Sequence, residues 1–246
     1  MAKDMDHSES ICTYKELTPF ITTIQKQHDD IRKNADMRQE FTANGSHELK
    51  TPLTSISGYS ELIENGMANE KEVVHFAREI HQSANRLLTL INDIIRLSEL
   101  DVSTETILYE TLDLYEIADK CVSMLEMNAN NHDVTIQLMG KHAYIYANKE
   151  MMDELLYNLC DNAIRYNKKG GSVTVSVEET EENVILSVED TGIGIPKEHQ
   201  NRVFERFYRV DKSRSKRTGG TGLGLAIVKH IVARNNAALT LTSEMD

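Results

Sequence analysis

The chain has 246 residues, with 27 Lys plus Arg against 39 Asp plus Glu and a net charge of −12. That length suffices for two modest cores, and the acidity argues against a nucleic-acid surface, which needs a basic stripe to neutralise phosphates. An anionic ligand must therefore be gripped locally, by backbone N–H groups, a metal ion and a few placed cations.

Residues 1–37 are polar, with a thin apolar stripe at Leu17, Phe20, Ile24 and Ile31. The spacing fits an amphipathic helix feeding the next element, and it fits a frayed linker equally well. Residues 38–103 read as a helical hairpin. Leu49, Leu53, Ile56 and Ile63 fall on one face of a first helix, and Ile80, Ala84, Leu87, Ile91 and Ile94 on one face of a second. Leu88 and Ile95 widen the second stripe beyond a coiled-coil seam, and Asn65-Gly66 marks the turn. Two helices cannot bury stripes that wide alone. Pairing with a second copy into a four-helix bundle buries them, so a homodimer is expected; the alternative is a hairpin packed on its own C-terminal domain.

From about residue 104 strands and helices alternate. Strands are expected at 134–138, 144–147, 173–177, 184–188 and 238–242, and helices at 150–166 and 223–232. The expected fold class is α+β: the hairpin, then a mixed sheet with helices on one face. The cysteines Cys12, Cys121 and Cys160 match no zinc spacing and no disulfide framework, which suits a reduced cytoplasmic compartment. No run of about 18 apolar residues occurs and the first ten residues are polar. No membrane span or signal peptide is expected in this segment, which can still be the cytoplasmic portion of a membrane-anchored sensor.

Four features carry chemistry. His47 lies about 160° around the first helix from Leu49, on the solvent face, with Glu48 beside it and Thr51 one turn beyond. Most lone surface histidines are merely solvated. Here a carboxylate neighbour can accept from one ring nitrogen and leave the other nucleophilic, and Pro52 inside the helix, at a cost of about 3 kcal/mol, suggests an offsetting role. Two glycine-rich loops, 190–196 after a strand and 219–224 before a helix, suit close approach to phosphates. Neither is a Walker loop or a dinucleotide fingerprint, and each alone could be a tight turn. Asn158 and Asn162 share a helix face, and Asn162 can offer a neutral oxygen to Mg²⁺ or be a plain surface amide. Asp190 can accept from an exocyclic amine or cap its turn.

Together these residues resemble the sensor histidine kinases of two-component systems. The H box stands as Phe41-Thr-Ala-Asn-Gly-Ser-His47-Glu-Leu-Lys-Thr-Pro-Leu53, and the N box as Asn158-Leu-Cys-Asp-Asn162-Ala-Ile-Arg-Tyr166. Asp190 to Pro196 and Gly219 to Gly224 resemble the two glycine boxes, and Phe204-Glu-Arg-Phe-Tyr-Arg209 the F box. The resemblance implies a dimerisation and histidine-phosphotransfer domain over 38–103 and a Bergerat-type ATP-binding domain over 104–246. It implies His47 as phosphoacceptor, Glu48 as its base, and Glu48 with Thr51 as the pair that positions water for dephosphorylating a regulator. It puts Mg²⁺ on Asn162, Asn158, Arg165 and Tyr166 beside ATP, Asp190 on the adenine amine, and Gly192 and Gly194 around that pocket. Gly220, Thr221, Gly222, Leu223 and Gly224 then form the lid over the phosphates, Arg209 reaches the γ-phosphate, and the partner is a response-regulator receiver domain. The alternative is a weakly active dimeric scaffold that docks the receiver.

Two positions depart from the family pattern. Gly45 replaces a larger residue and costs about 1 kcal/mol in a helix interior. Family members continue past the position of Asp246 through a glycine turn into a final strand, so strand 238–242 is expected to lack its hairpin partner.

Overall fold

The structure, a computed structural model, describes residues 18–101, 108–211 and 220–245. The readings at Cys12, Leu17 and Gly219 fall outside them. The chain divides into two compact units, Met1–His47 and Glu48–Asp246.

The first unit is the leading part of α1 (Thr18–Glu64). Phe20, Ile24 and Ile31 of the thin stripe are all exposed. The helix is continuous through Gly45, which is buried, and the Ser46 hydroxyl donates to the Thr42 carbonyl 2.8 Å away. His47 ends this unit and is exposed.

The second unit takes up α1 at Glu48. The helix runs on through Pro52, which cannot donate to the Glu48 carbonyl. Thr54 and Ser55 donate their hydroxyls to the carbonyls of Lys50 and Thr51, at 2.9 and 3.3 Å, around the proline. The turn at Asn65-Gly66 holds, with Gly66 at φ +67°, a left-handed conformation that glycine adopts without penalty. Helix α2 (Glu70–Asp101) opens with a capping box: Asn69 accepts from the N–H groups of Lys71 and Glu72, and Glu72 accepts from Asn69 N–H at 2.9 Å.

The hairpin stripes fare unequally. Ile56, Ile63, Ile80, Ala84, Leu87 and Ile94 are half-buried, while Leu53, Leu88, Ile91 and Ile95 are exposed. The fully buried positions of α2 are instead Leu90, Leu97 and Leu100. Helix α2 thus has a second apolar face that the stripe at 80–94 did not reveal, and it packs on the last helix of the chain.

The α/β layer begins with β1 (Glu110–Asp113), antiparallel to β3 (Tyr144–Ala147). Between them come α3 (Leu114–Asn131), capped by Asp113, and β2 (Val134–Gly140). Then follow α4 (Lys149–Arg165), β4 (Gly171–Glu179), β5 (Val184–Asp190), the single turn α5 (Lys197–Gln200) and α6 (Gly224–Arg234). Strand β4 is central, parallel to β2 and antiparallel to β5. Its Val173, Val175 and Val177 face the core fully buried while the alternate residues do not. Helix α4 is capped by Asn148, which accepts from Met151 N–H at 3.0 Å, and buries Leu155, Leu156, Cys160, Ala163 and Ile164. This is the expected mixed sheet with packed helices.

The expected strand at 238–242 is not formed: among the described residues β5 pairs only with β4. A strand exists through its ladder, and this segment has none. Just beyond it, Ser243 is held to the first glycine loop and to α5. Ile195 N–H donates to the Ser243 hydroxyl at 2.8 Å, and the Gln200 amide donates to the Ser243 carbonyl at 2.9 Å.

Candidate functional site

Three loops meet at the C-terminal end of α4. The Tyr166 carbonyl accepts from Ile193 N–H at 3.2 Å, which ties the helix end to the first glycine loop. A Cβ on Gly192 would lie 2.6 Å from that carbonyl and 2.5 Å from Asp190 Oδ1, so only glycine fits. Asp190 caps its own turn, Oδ1 accepting from Gly192 N–H at 2.8 Å. Gly194, at φ +70°, lets the Glu244 backbone pass close by. On the other side the second loop arrives: a Cβ on Gly220 would sit 3.1 Å from the Tyr166 hydroxyl, and one on Gly224 would sit 2.6 Å from Asn158 Oδ1. The Asn158 amide itself donates to the Glu154 carbonyl at 2.9 Å.

The second loop is held at both faces of Thr221. Its hydroxyl donates to Asp93 Oδ2 of α2 at 2.7 Å, and its carbonyl accepts from Arg209 Nη2 at 2.8 Å. Burial pushes the Asp93 carboxyl up from its ordinary value, opposed by the Thr221 hydroxyl. The same Arg209 nitrogen donates to Glu48 Oε2 at 2.9 Å, and Arg86 of α2 reaches that oxygen at 3.3 Å. Arg209 is 5% exposed and Glu48 26%, so this pair is far less screened than a surface ion pair. The F box is pinned as well: Phe207 N–H donates to the Gly222 carbonyl at 2.8 Å, with Phe207 at φ +62°. A bulky residue in that region is strained, and its persistence marks a constrained loop.

The fit to a magnesium nucleotide rests on two observations. The Nε of Arg209 is buried and, among the described residues, has no hydrogen-bond partner; it lies 3.2 Å from where a Gly222 Cβ would stand. A guanidinium with an unused N–H beside a glycine loop suits a phosphate oxygen. The Asn162 side chain, half-buried beside Gly224, also makes no hydrogen bond among the described residues. Among the described residues no group of three or more His, Cys, Asp or Glu could hold a metal. A cation would thus draw one amide oxygen from Asn162 and the rest from phosphate and water, which is the habit of Mg²⁺.

Below the glycine loop, α2 ends in an ionic clasp. Arg206 Nη2 donates to both carboxylate oxygens of Asp101 at 2.9 Å and approaches His230 Nε2 of α6 at 3.2 Å. His230 Nδ1 lies 3.5 Å from Asp101. Only the neutral imidazole can accept from Arg206. Burial lowers the His230 pKa from 6.5; Asp101 opposes this, while Arg206, Lys229 and Arg234 add to it. A lowered folded-state value means that this contribution is whole above pH 6.5 and is lost as pH falls below it toward the folded value. Thermal melts from pH 8 to 5.5 should therefore show a steeper acid loss in the parent chain than in His230→Gln, whose amide accepts from Arg206 without titrating. Parallel curves would count against it.

The structure brings Glu48, Arg209, Thr221, Gly222, Leu223 and Gly224 into one neighbourhood, and Tyr166, Asp190, Gly192 and Gly194 into the adjoining one. Thr51 is exposed on α1. Arg165 is set apart: its Nε pairs with Asp161 at 2.5 Å, and it lines a cavity of about 450 Å³ with Asn131, His132, Asp133 and Lys169. Sequence reading missed Arg86 and Asp93. Their signal is a pair of charges seven residues apart, hence on one helix face, flanking an apolar stripe.

Comparison with known proteins covers most of the chain. Residues 37–102 match the His Kinase A (phospho-acceptor) domain, and residues 147–246 match the histidine kinase-, DNA gyrase B- and HSP90-like ATPase family. The chain is 36% identical over 225 residues to the sensor-like histidine kinase SenX3 of Mycolicibacterium smegmatis, covering 91% of this chain and 58% of that protein. It is 38% identical over 199 residues to the sensor histidine kinase WalK of Bacillus subtilis, covering 79% and 33%. The chain thus spans between a third and three-fifths of these relatives. Among solved structures, the Acinetobacter baumannii histidine kinase AdeS matches with a TM-score of 0.62 at 28% identity, over 76% of this chain and 86% of that one. The histidine kinase ThkA, solved with the response regulator protein TrrA, shares the fold at a TM-score of 0.68 and 20% identity, over 87% and 60%.

Proposed function

The chain belongs to the sensor histidine kinases of two-component systems, and on that footing we propose that it transfers the γ-phosphoryl group of ATP to His47 and passes it to an aspartate of a response-regulator receiver domain. Arg209 carries this reading: one guanidinium bonds both the glycine loop, at Thr221, and the carboxylate next in sequence to His47.

Bound MgATP supplies the phosphoryl group and the divalent charge that offsets its anionic oxygens. The residues do the rest. Asp190 keeps one carboxylate oxygen for the adenine amine while the other caps its turn. Asn162 offers its amide oxygen to Mg²⁺. Tyr166 stands at the end of the same helix, toward the nucleotide, while Arg165 beside it is held by Asp161. The loop from Gly220 to Gly224 presents N–H groups to the phosphates at the N-terminus of α6. Arg209 turns its N–H groups from Glu48 to the γ-phosphate. Glu48 accepts the proton from one ring nitrogen of His47, whose other nitrogen forms the N–P bond as the bond to the ADP oxygen breaks. With Thr51, Glu48 also orients water for the reverse task of dephosphorylating the regulator.

The exposed Leu53, Leu88, Ile91 and Ile95 form the seam of a homodimer, the hairpin over 38–103 serves as the phosphotransfer domain, and 104–246 serves as the ATP-binding domain. No helix among the described residues is long and apolar enough to cross a membrane. The segment reads as the cytoplasmic portion of a longer sensor.

Incubation with radiolabelled ATP and Mg²⁺ should give an acid-labile, base-stable label on the parent chain and none on His47→Gln. Label that survives the substitution would sink the reading. An unlabelled parent chain would favour the regulatory scaffold.

A further inference from the structure

Glu48 presents two oxygens with different duties. Both arginines bond Oε2, Arg209 at 2.9 Å and Arg86 at 3.3 Å, and among the described residues no hydrogen bond reaches Oε1. A proton acceptor needs this asymmetry: one oxygen anchored, the other open to an imidazole. The anchors are not equivalent. Arg209 stands in the F box, holds the glycine loop through Thr221, and has an unused buried N–H beside Gly222. It is the group that a phosphate draws away. Arg86 stands on α2, and its bond to Glu48 joins the two helices of the hairpin across 38 residues of sequence. Its side chain is only 18% exposed. Once Arg209 has left, Arg86 is the cation that still holds the carboxylate.

We infer that Arg86 is a positioning residue for phosphoryl transfer: it anchors Glu48 through Oε2 while Arg209 serves the phosphate, leaving Oε1 aimed for proton transfer.

The inference rests on the reading of Glu48 as proton acceptor, and the two can fail separately. In the full chain, Arg86→Ala should lower the maximal autophosphorylation rate by about tenfold and leave the KM for ATP within about twofold, because among the described residues the hydrogen bond of Arg86 goes to Glu48 and not to the glycine loops. Arg86→Lys should recover most of the rate. Arg86→Ala combined with Glu48→Gln should be no slower than Glu48→Gln alone, since a residue acting through another loses its effect when that other is gone. Multiplied losses in the double variant, which a purely structural role produces, would overturn the inference. So would a parental rate in Arg86→Ala when Glu48→Gln is slow. A parental rate in Glu48→Gln would remove the Glu48 reading and Arg86 with it. If Arg86→Ala fails to fold, judged by its melt and its binding of a fluorescent ATP analogue, Arg86→Gln and Arg86→Lys decide. Gln must be slow and Lys fast; equal rates overturn the inference.

Discussion

Arg209→Ala should lower the autophosphorylation rate by about 10²–10³-fold, the loss typical of removing one preorganised donor from developing charge. The structure explains why the effect is large. Arg209 is almost wholly buried, and one of its nitrogens serves both Glu48 and the Thr221 carbonyl. Alanine leaves that carbonyl without this donor, leaves Glu48 to Arg86, and leaves no guanidinium for the transferred group. Arg209→Lys keeps the charge but not the planar fork, and should recover only part of the rate. Initial rates of label incorporation at saturating ATP, read beside equilibrium ATP binding, check this. The loss should fall mainly on the rate, because the adenine pocket proposed at Asp190 and Gly192 lies in the other loop. A rate within about threefold of the parent would show that Arg209 serves the fold and not the transfer.

Leu156→Ala should destabilise the second unit by about 2–5 kcal/mol, the range for a leucine removed from a closed core. Leu156 is fully buried on α4, and α4 packs against α3, α6, β4 and β5 together. A hole there has neighbours on every side and little freedom to collapse. Urea unfolding should show a lower midpoint at an unchanged slope. Asn158 and Asn162 follow Leu156 within two turns of the same helix, so saturating MgATP should return part of the lost midpoint by binding the folded state alone. An unchanged midpoint would mean that α4 is not the keystone its packing indicates.

The legibility of this chain followed the range of the forces involved. Val173, Val175 and Val177 were readable because one strand fully buried on one face writes its period into the sequence. Helix α4 was readable because Met151 and Leu155, both buried, repeat at helical spacing. The first glycine loop was readable because the backbone approaches at Gly192 and Gly194 admit no other residue. What escaped depended on distant partners. Leu53 looks like a core residue and is exposed, since its cover must come from elsewhere than its own helix. Leu90, Leu97 and Leu100 are buried on a helix that packs on α6, more than a hundred residues on. Residues 238–242 have the alternation of a strand and no ladder to join. Arg165 fitted the N box, yet Asp161, one turn earlier on its own helix, takes its Nε. Arg86 and Asp93 carried only the weak signal of their shared face, because a charge on a helix says nothing of the distant residue that will meet it, Glu48 for one and Thr221 for the other.

The glycine loop is tied to the F box twice in succession, by Arg209 to the Thr221 carbonyl and by Phe207 N–H to the Gly222 carbonyl. Two adjacent tethers leave the pair of loops few independent ways to move. A displacement of Gly222 large enough to wrap a phosphate breaks the Phe207 bond or carries the F box with it, and the F box carries Arg209. If the loop closes over the nucleotide as proposed, covering it and uncovering the Glu48 carboxylate are a single stroke, as in a rocker whose one end rises when the other falls. The strained φ of Phe207 sits at its pivot.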